Sequence, residues 1–155
     1  MGRNFWIMEL GDFSNKLKSI SVTAGSVFKT TLYKSDGVKP KKAEDSSRDK
    51  YFVILGEDES SYIVGVLLIN TNINSNLAHI IAPYQHCIYP DIYEFLDGQY
   101  RFVDCYKIKT IERKRILSDA SYIGIINEDD MKKIAELAKA SPGNLPNDLK
   151  RFNIK

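Results

Sequence analysis

The chain is poor in the residues that build covalent or metal frameworks. Among its 155 residues it has two cysteines, Cys87 and Cys105, and two histidines, His79 and His86. Two cysteines without CxxC spacing exclude a disulfide scaffold, and the four residues together make no zinc-binding pattern. Both thiols are therefore expected to be free and buried, in a reducing compartment. Long hydrophobic runs are missing as well. Nothing approaches the roughly 20 apolar residues that span a bilayer, so no membrane partner is expected. The opening MGRNFWIMELGDF has no long apolar core and no small-residue cleavage site, which argues against a signal peptide and for a cytoplasmic location. Excess charge is also lacking: 22 Lys and Arg against 20 Asp and Glu leave a formal +2. A polyanion site, if there is one, must be a local patch and not a global field.

What is present is an ordinary globular composition, 43% hydrophobic and 27% charged, enough for one domain with a single core. Nine Tyr and seven Phe suit β structure and leave spare rings for a surface. Phe13, Leu17 and Ile20 recur at helical spacing, predicting a short N-terminal helix over residues 12–20. From Gly25 the period changes to two, and SVFKTTLYK reads as a strand. The polar stretch GVKPKKAEDSSRD has no period and is expected to be a long loop. KYFVILGED and SYIVGVLLINTNIN are apolar strands that pair as a hairpin, with Gly65 marking a bulge or a tight bend. HIIAPYQHCIYP supplies further strand in short pieces, and Asp97-Gly98 a turn before the strand YRFVDCYKI. Asn127 is placed to cap a final helix whose first turn carries Glu128, Asp129 and Asp130 against the positive end of the helix dipole. Met131, Ile134, Leu137 and Ala138 give that helix one apolar stripe, and Ser141-Pro142-Gly143 ends it. The expected fold is mainly β: a small, strongly bent barrel of five to seven strands between Gly25 and Ile111, with helices packed outside. Residues 1–24 form a helical extension, 25–140 the barrel and final helix, and 141–155 a tail of loop with at most one short turn.

The order of several segments resembles the MazF/PemK family of small bacterial endoribonuclease toxins. Gly25-Ser26-Val27 opens a first strand, Tyr51–Leu55 follows a long loop, and Val66–Ile69 ends at Asn70-Thr71-Asn72. His86 followed by Ile88 is similar to the family's "His-Val-Glu-Ile" strand. Ile108–Ile116 is similar to its "Ile-Arg-Thr-Ile-Asp-Lys-x-Arg-Leu" segment, and Gly124 with Glu128–Leu137 to its final helix. The resemblance covers roughly Gly25 to Ala140. It implies an SH3-like barrel, a homodimer, cleavage of single-stranded RNA without metal or other cofactor, and neutralisation by a cognate antitoxin protein. The family's Arg-Pro motif is altered, because Arg48-Asp49-Lys50 precedes Tyr51 and the proline is absent. A non-catalytic barrel of the same kind that binds RNA or a protein partner is the alternative implication.

RNA cleavage of this kind needs a base for the 2′-hydroxyl, donors for the charged phosphorane and an acid for the leaving oxygen. Arg48 is the first donor candidate, since a guanidinium can bind two phosphate oxygens at once. Asn70 and Thr71, at the end of the neighbouring strand, are placed to polarise the same phosphate. His86 is the candidate acid or base, whereas His79, in an apolar run, is expected to be packed. Lys41, Lys42 and Lys50 around the long loop, and Lys109 in the run Lys107 to Arg115, are the candidate RNA contacts, with Tyr84, Tyr89, Tyr100 and Tyr106 as stacking faces. A hairpin would bring Arg48, Asn70 and Thr71 to one rim, with His86 within reach.

Overall fold

The strand Ile63–Asn70 (β3) carries IVGVLLIN, and every residue from Val64 to Ile69 is buried. A strand with both faces covered must sit inside a sheet with a layer on each side. In the computed structural model, which describes residues 22–33, 47–72 and 78–154, β3 pairs antiparallel with Ser47–Glu57 (β2). The first strand, Ser26–Tyr33 (β1), lies on the other edge of β2. After β3 come a single helical turn, Ala78–Ile81 (α1), then Gln85–Ile88 (β4), Arg101–Asp104 (β5) and Lys109–Glu112 (β6). A short helix, Arg113–Asp119 (α2), leads into Ser121–Ile125 (β7). The chain closes with Glu128–Ala140 (α3) and Pro146–Arg151 (α4). The expected helix over 12–20 lies outside the described residues.

The sheet is antiparallel with the order β4-β5-β3-β2-β1-β7, and β6 pairs with β3 off this path. The expected closed barrel is not formed by the described strands. One edge of β3 is shared, with Ile63–Val66 on β6 and Ile69–Asn70 on β5, and the ladder ends at β4 and β7 without joining them. Six of the seven strands fall within the stretch where strands were expected. The seventh, β7, follows α2, where the sequence suggested only a basic strand end and a link. ArgLysArg-Ile-Leu consists largely of good helix formers, and the helix buries Ile116 against the sheet.

Two apolar clusters lie on the two faces. Val27, Val53, Leu67, Ile69 and Val103 pack with Ile134 and Ala138 of α3 and with Phe152. Phe28, Phe52, Ile54, Val66 and Leu68 pack with Ile111 and with Ile116 of α2. The rings of Phe28 and Phe52 stack at 5.9 Å. α3 forms where expected: the Asn127 side chain accepts from the Asp130 amide at 2.8 Å, and Ile134 and Ala138 are its buried stripe.

The tail is more structured than its polar sequence suggests. Asn144 is buried and its amide is fully used. It donates to the carbonyls of Cys105 (3.1 Å) and Ala138 (2.9 Å) and accepts from the Ile108 amide (2.7 Å). Beyond α4, the Phe152 ring enters the sheet at Gly65, where a Cβ would lie 2.6 Å from its Cγ. A Cβ on Gly56, the register partner of Gly65, would meet the Phe152 carbonyl oxygen at the same distance. Gly65 therefore marks a ring's seat, and the irregularity falls on β2 between Ile54 and Gly56.

Gly65→Ala is expected to cost about 1–3 kcal/mol by overpacking, and Phe152→Ala about 3–5 kcal/mol through the cavity it leaves. The double variant should cost less than their sum, because removing the ring makes room for the methyl. Urea unfolding of the four proteins tests this, and strict additivity would show that the ring and the glycine do not share the site.

Candidate nucleic-acid interface

Neighbouring residues of a strand point to opposite faces, so the register assigns each polar side chain to a side. His86 pairs with Val103, Val103 with Ile69, Ile69 with Tyr51 and Tyr51 with Lys29, forming one row across the sheet. One residue along, Cys87 pairs with Phe102 and Phe102 with Asn70, while Lys50 pairs with Thr30. This second row faces the other way. The two rows run side by side near the beginning of β2 and the end of β3.

On the second row, the Lys50 ammonium donates to the Asn70 side-chain oxygen, joining β2 to β3. Lys50 is only 8% exposed, and Thr30 beside it donates to the Asp119 carbonyl at 3.3 Å. The hairpin thus brings together two of the residues singled out in the sequence. Thr71, in the bend after β3, is exposed. Arg48 lies inside β2, in register with Leu32, and its side chain is outside the described set, as are Lys41 and Lys42. Lys109 pairs with Val66 at the other part of β3, four residues from Asn70 and so about 13 Å along the strand. The basic run around it is dispersed: Arg113 bonds Glu57 at 2.7 Å, Arg115 donates to the Thr31 carbonyl at 2.7 Å, and Lys107 stands 3.9 Å from Asp148.

The face carrying His86 holds a group that the sequence did not reveal. The Arg101 guanidinium stacks over the Tyr51 ring, 4.3 Å from its centre, and the Lys29 ammonium lies 6.0 Å from the same centre. Neither cation has a carboxylate partner among the described residues, and the buried Arg101 Nε has no hydrogen-bond acceptor. Arg101 pairs with Ile88, which makes it a diagonal neighbour of His86 on that face.

His86 itself is held by α3. Its Nε2 lies 2.8 Å from the Asp130 carboxylate, and the Tyr93 hydroxyl donates to the other carboxylate oxygen while accepting from the Asn127 amide at 3.1 Å. An ionised carboxylate only accepts, so Nε2 carries the proton in the neutral ring and Nδ1 keeps the lone pair. No described residue bonds Nδ1, and the His86 side chain is 14% exposed. Burial, and then the Asp130 carboxylate, raise the Tyr93 phenol well above its ordinary range, so it remains a donor. His86 shares a face with Arg101, whereas Lys50 and Asn70 lie across the sheet from it. His79, expected to be packed, is exposed on α1.

Among the described residues no group of three or more His, Cys, Asp and Glu stands ready to hold a metal ion, and no helix is long and apolar enough to cross a membrane. No protein-family model and no curated protein matches the chain.

The cysteines differ in environment. Cys87 is half-buried, not buried as expected, while the buried Cys105 thiol is pushed up to about 12 by burial and then by the Asp104 charge. A thiol-specific reagent at pH 8 should therefore modify Cys87 in the native protein and Cys105 only after unfolding. A thiol raised from its ordinary 9.0 favours the folded state fully below that value, and the advantage is lost as pH climbs towards 12. The urea midpoint should accordingly decline above about pH 9, and a flat midpoint to pH 11 would contradict the assignment.

Proposed function

We propose that the chain binds single-stranded RNA at the end of the sheet where Arg101 and Lys29 meet Tyr51. The reading rests on one observation: two cations share one half-buried aromatic ring, and neither is neutralised by a carboxylate among the described residues. Single-strand binders combine cations that follow the phosphates with rings that hold bases, because every base has a π-face. Of the two implications of the MazF/PemK resemblance, a non-catalytic relative that binds RNA without cutting it is the one that fits this reading.

The test is fluorescence anisotropy with labelled single-stranded RNA across a salt series. Arg101→Met with Lys29→Met should lower the slope of log K against log salt by about 1.4, two contacts at about 0.7 each. Tyr51→Leu should weaken binding about 5- to 100-fold with little dependence on base sequence. Affinity and slope unchanged in both variants would overturn the reading.

A second reading is a metal-independent endoribonuclease toxin similar to MazF/PemK, homodimeric and neutralised by a cognate antitoxin. His86 favours it, being oriented by Asp130 with its Nδ1 lone pair free and Arg101 diagonal to it. In that chemistry Nδ1 takes the 2′-hydroxyl proton, the 2′-oxygen bonds to phosphorus, the P–O5′ bond breaks, and the 5′-oxygen receives a proton from the imidazolium or from water. Arg101 then fills the donor role that the sequence suggested for Arg48. Wild type should cut single-stranded RNA in EDTA, and His86→Gln should be slower by about 100- to 10,000-fold. Binding without cleavage by wild type would leave the first reading alone.

A further inference from the structure

We propose that Tyr89 and Tyr100, on the turn just beyond the Ile88–Arg101 pair, form a docking point for an arginine- or lysine-bearing segment of a protein partner. The two residues follow β4 and precede β5, one step beyond the Ile88–Arg101 pair, so the hairpin holds them opposite each other. Their rings meet edge to face, 5.5 Å apart at 85°, and remain 50% and 61% exposed. Ile92, 59% exposed, stands in the same turn, where its amide and that of Tyr93 donate to the Tyr89 carbonyl at 3.1 and 3.2 Å. Tyr93 and Leu96, in the same connection, are buried in the core and anchor it. Three large apolar groups gathered on an anchored turn are more than the scattered exposed side chains of an ordinary surface.

Charge selects the occupant. From Gln85 to Tyr100 the sequence has no Lys or Arg but has Asp91, Glu94 and Asp97, in a chain whose overall charge is positive, and the guanidinium of the next residue, Arg101, is taken up over the Tyr51 ring. All three carboxylates are exposed, and none has an ion pair among the described residues. A phosphate backbone is repelled here. A guanidinium or ammonium is attracted twice, by the carboxylates and by the negative faces of the tyrosine rings. Ile92 supplies the apolar contact for the side-chain stem or a neighbouring residue.

The experiment uses the full chain titrated separately with a hexa-arginine peptide, a hexa-glutamate peptide and single-stranded RNA, followed by tyrosine fluorescence and by anisotropy of labelled ligand. Hexa-arginine should bind and hexa-glutamate should not. Tyr100→Ser and Tyr89→Ser should each weaken hexa-arginine binding by about 2- to 5-fold, and Asp91→Asn with Glu94→Gln and Asp97→Asn should remove most of its salt dependence. RNA binding should be unchanged in all of these variants, and since the altered residues are exposed, matching thermal unfolding curves control for folding. Hexa-arginine affinity unaffected by the tyrosine changes overturns the proposal. So does a loss of RNA binding in those variants, which would make the rings a base-stacking platform. A fall from dimer to monomer on sedimentation of Tyr100→Ser would do the same, assigning the patch to a second copy. The hexa-arginine and sedimentation outcomes are independent of whether Arg101 binds RNA.

Discussion

Burial of β2 and β3 on both faces is the constraint from which the rest of this structure follows. A strand with six consecutive buried residues cannot lie at a surface, so each side of the sheet needs its own cover. α3 and the segment ending in Phe152 supply one cover, and α2 with β6 supplies part of the other. Two segments with no packing role evident in the sequence, the basic run after Ile111 and the polar tail after Ser141, are the ones recruited for this purpose.

The same constraint sets the polar groups. Apolar residues fill both faces along the middle of β2 and β3, leaving charge only where the strands run out. There the alternation of the strand splits the polar residues into two sets: Lys50 with Asn70 on one side, Lys29, Tyr51, Arg101 and His86 on the other. A slip of one residue in the β2–β3 register would exchange the sets and put charges into both cores. Register therefore specifies the surface chemistry as tightly as it specifies packing.

Much of this was legible in the chain. The β2–β3 hairpin, the β1 alternation and the Asn127-capped helix are local patterns, and local patterns survive translation into structure. The meeting of Lys50 and Asn70 could be anticipated because it needs only a hairpin. Arg101 could not be. Its approach to Tyr51 depends on β5 lying beside β3, and β3 beside β2, an order that no neighbouring residues encode. Asp130 reads in the sequence as one of three acids at a helix start. Only the packing of α3 against β4 turns it into the partner of His86 and Tyr93. Asn144 gives no signal either, since two of its three partners, Cys105 and Ile108, come from a distant segment.

The seat of Phe152 also bears on how the chain reaches its native state. Gly56 and Gly65 belong to a hairpin that forms from near neighbours, while the ring that fills the gap between them comes from far along the sequence. Contacts of such long separation are closed late, because the intervening loop loses its entropy before the contact returns any stabilisation. The hairpin would then be assembled in the folding transition state with its notch still open, and the ring would enter on the downhill side. Interactions made after the barrier act on the rate of escape from the folded state and leave the rate of entry nearly unchanged. With that order of events Phe152 acts as a kinetic latch, slowing unfolding from a seat made by two missing side chains.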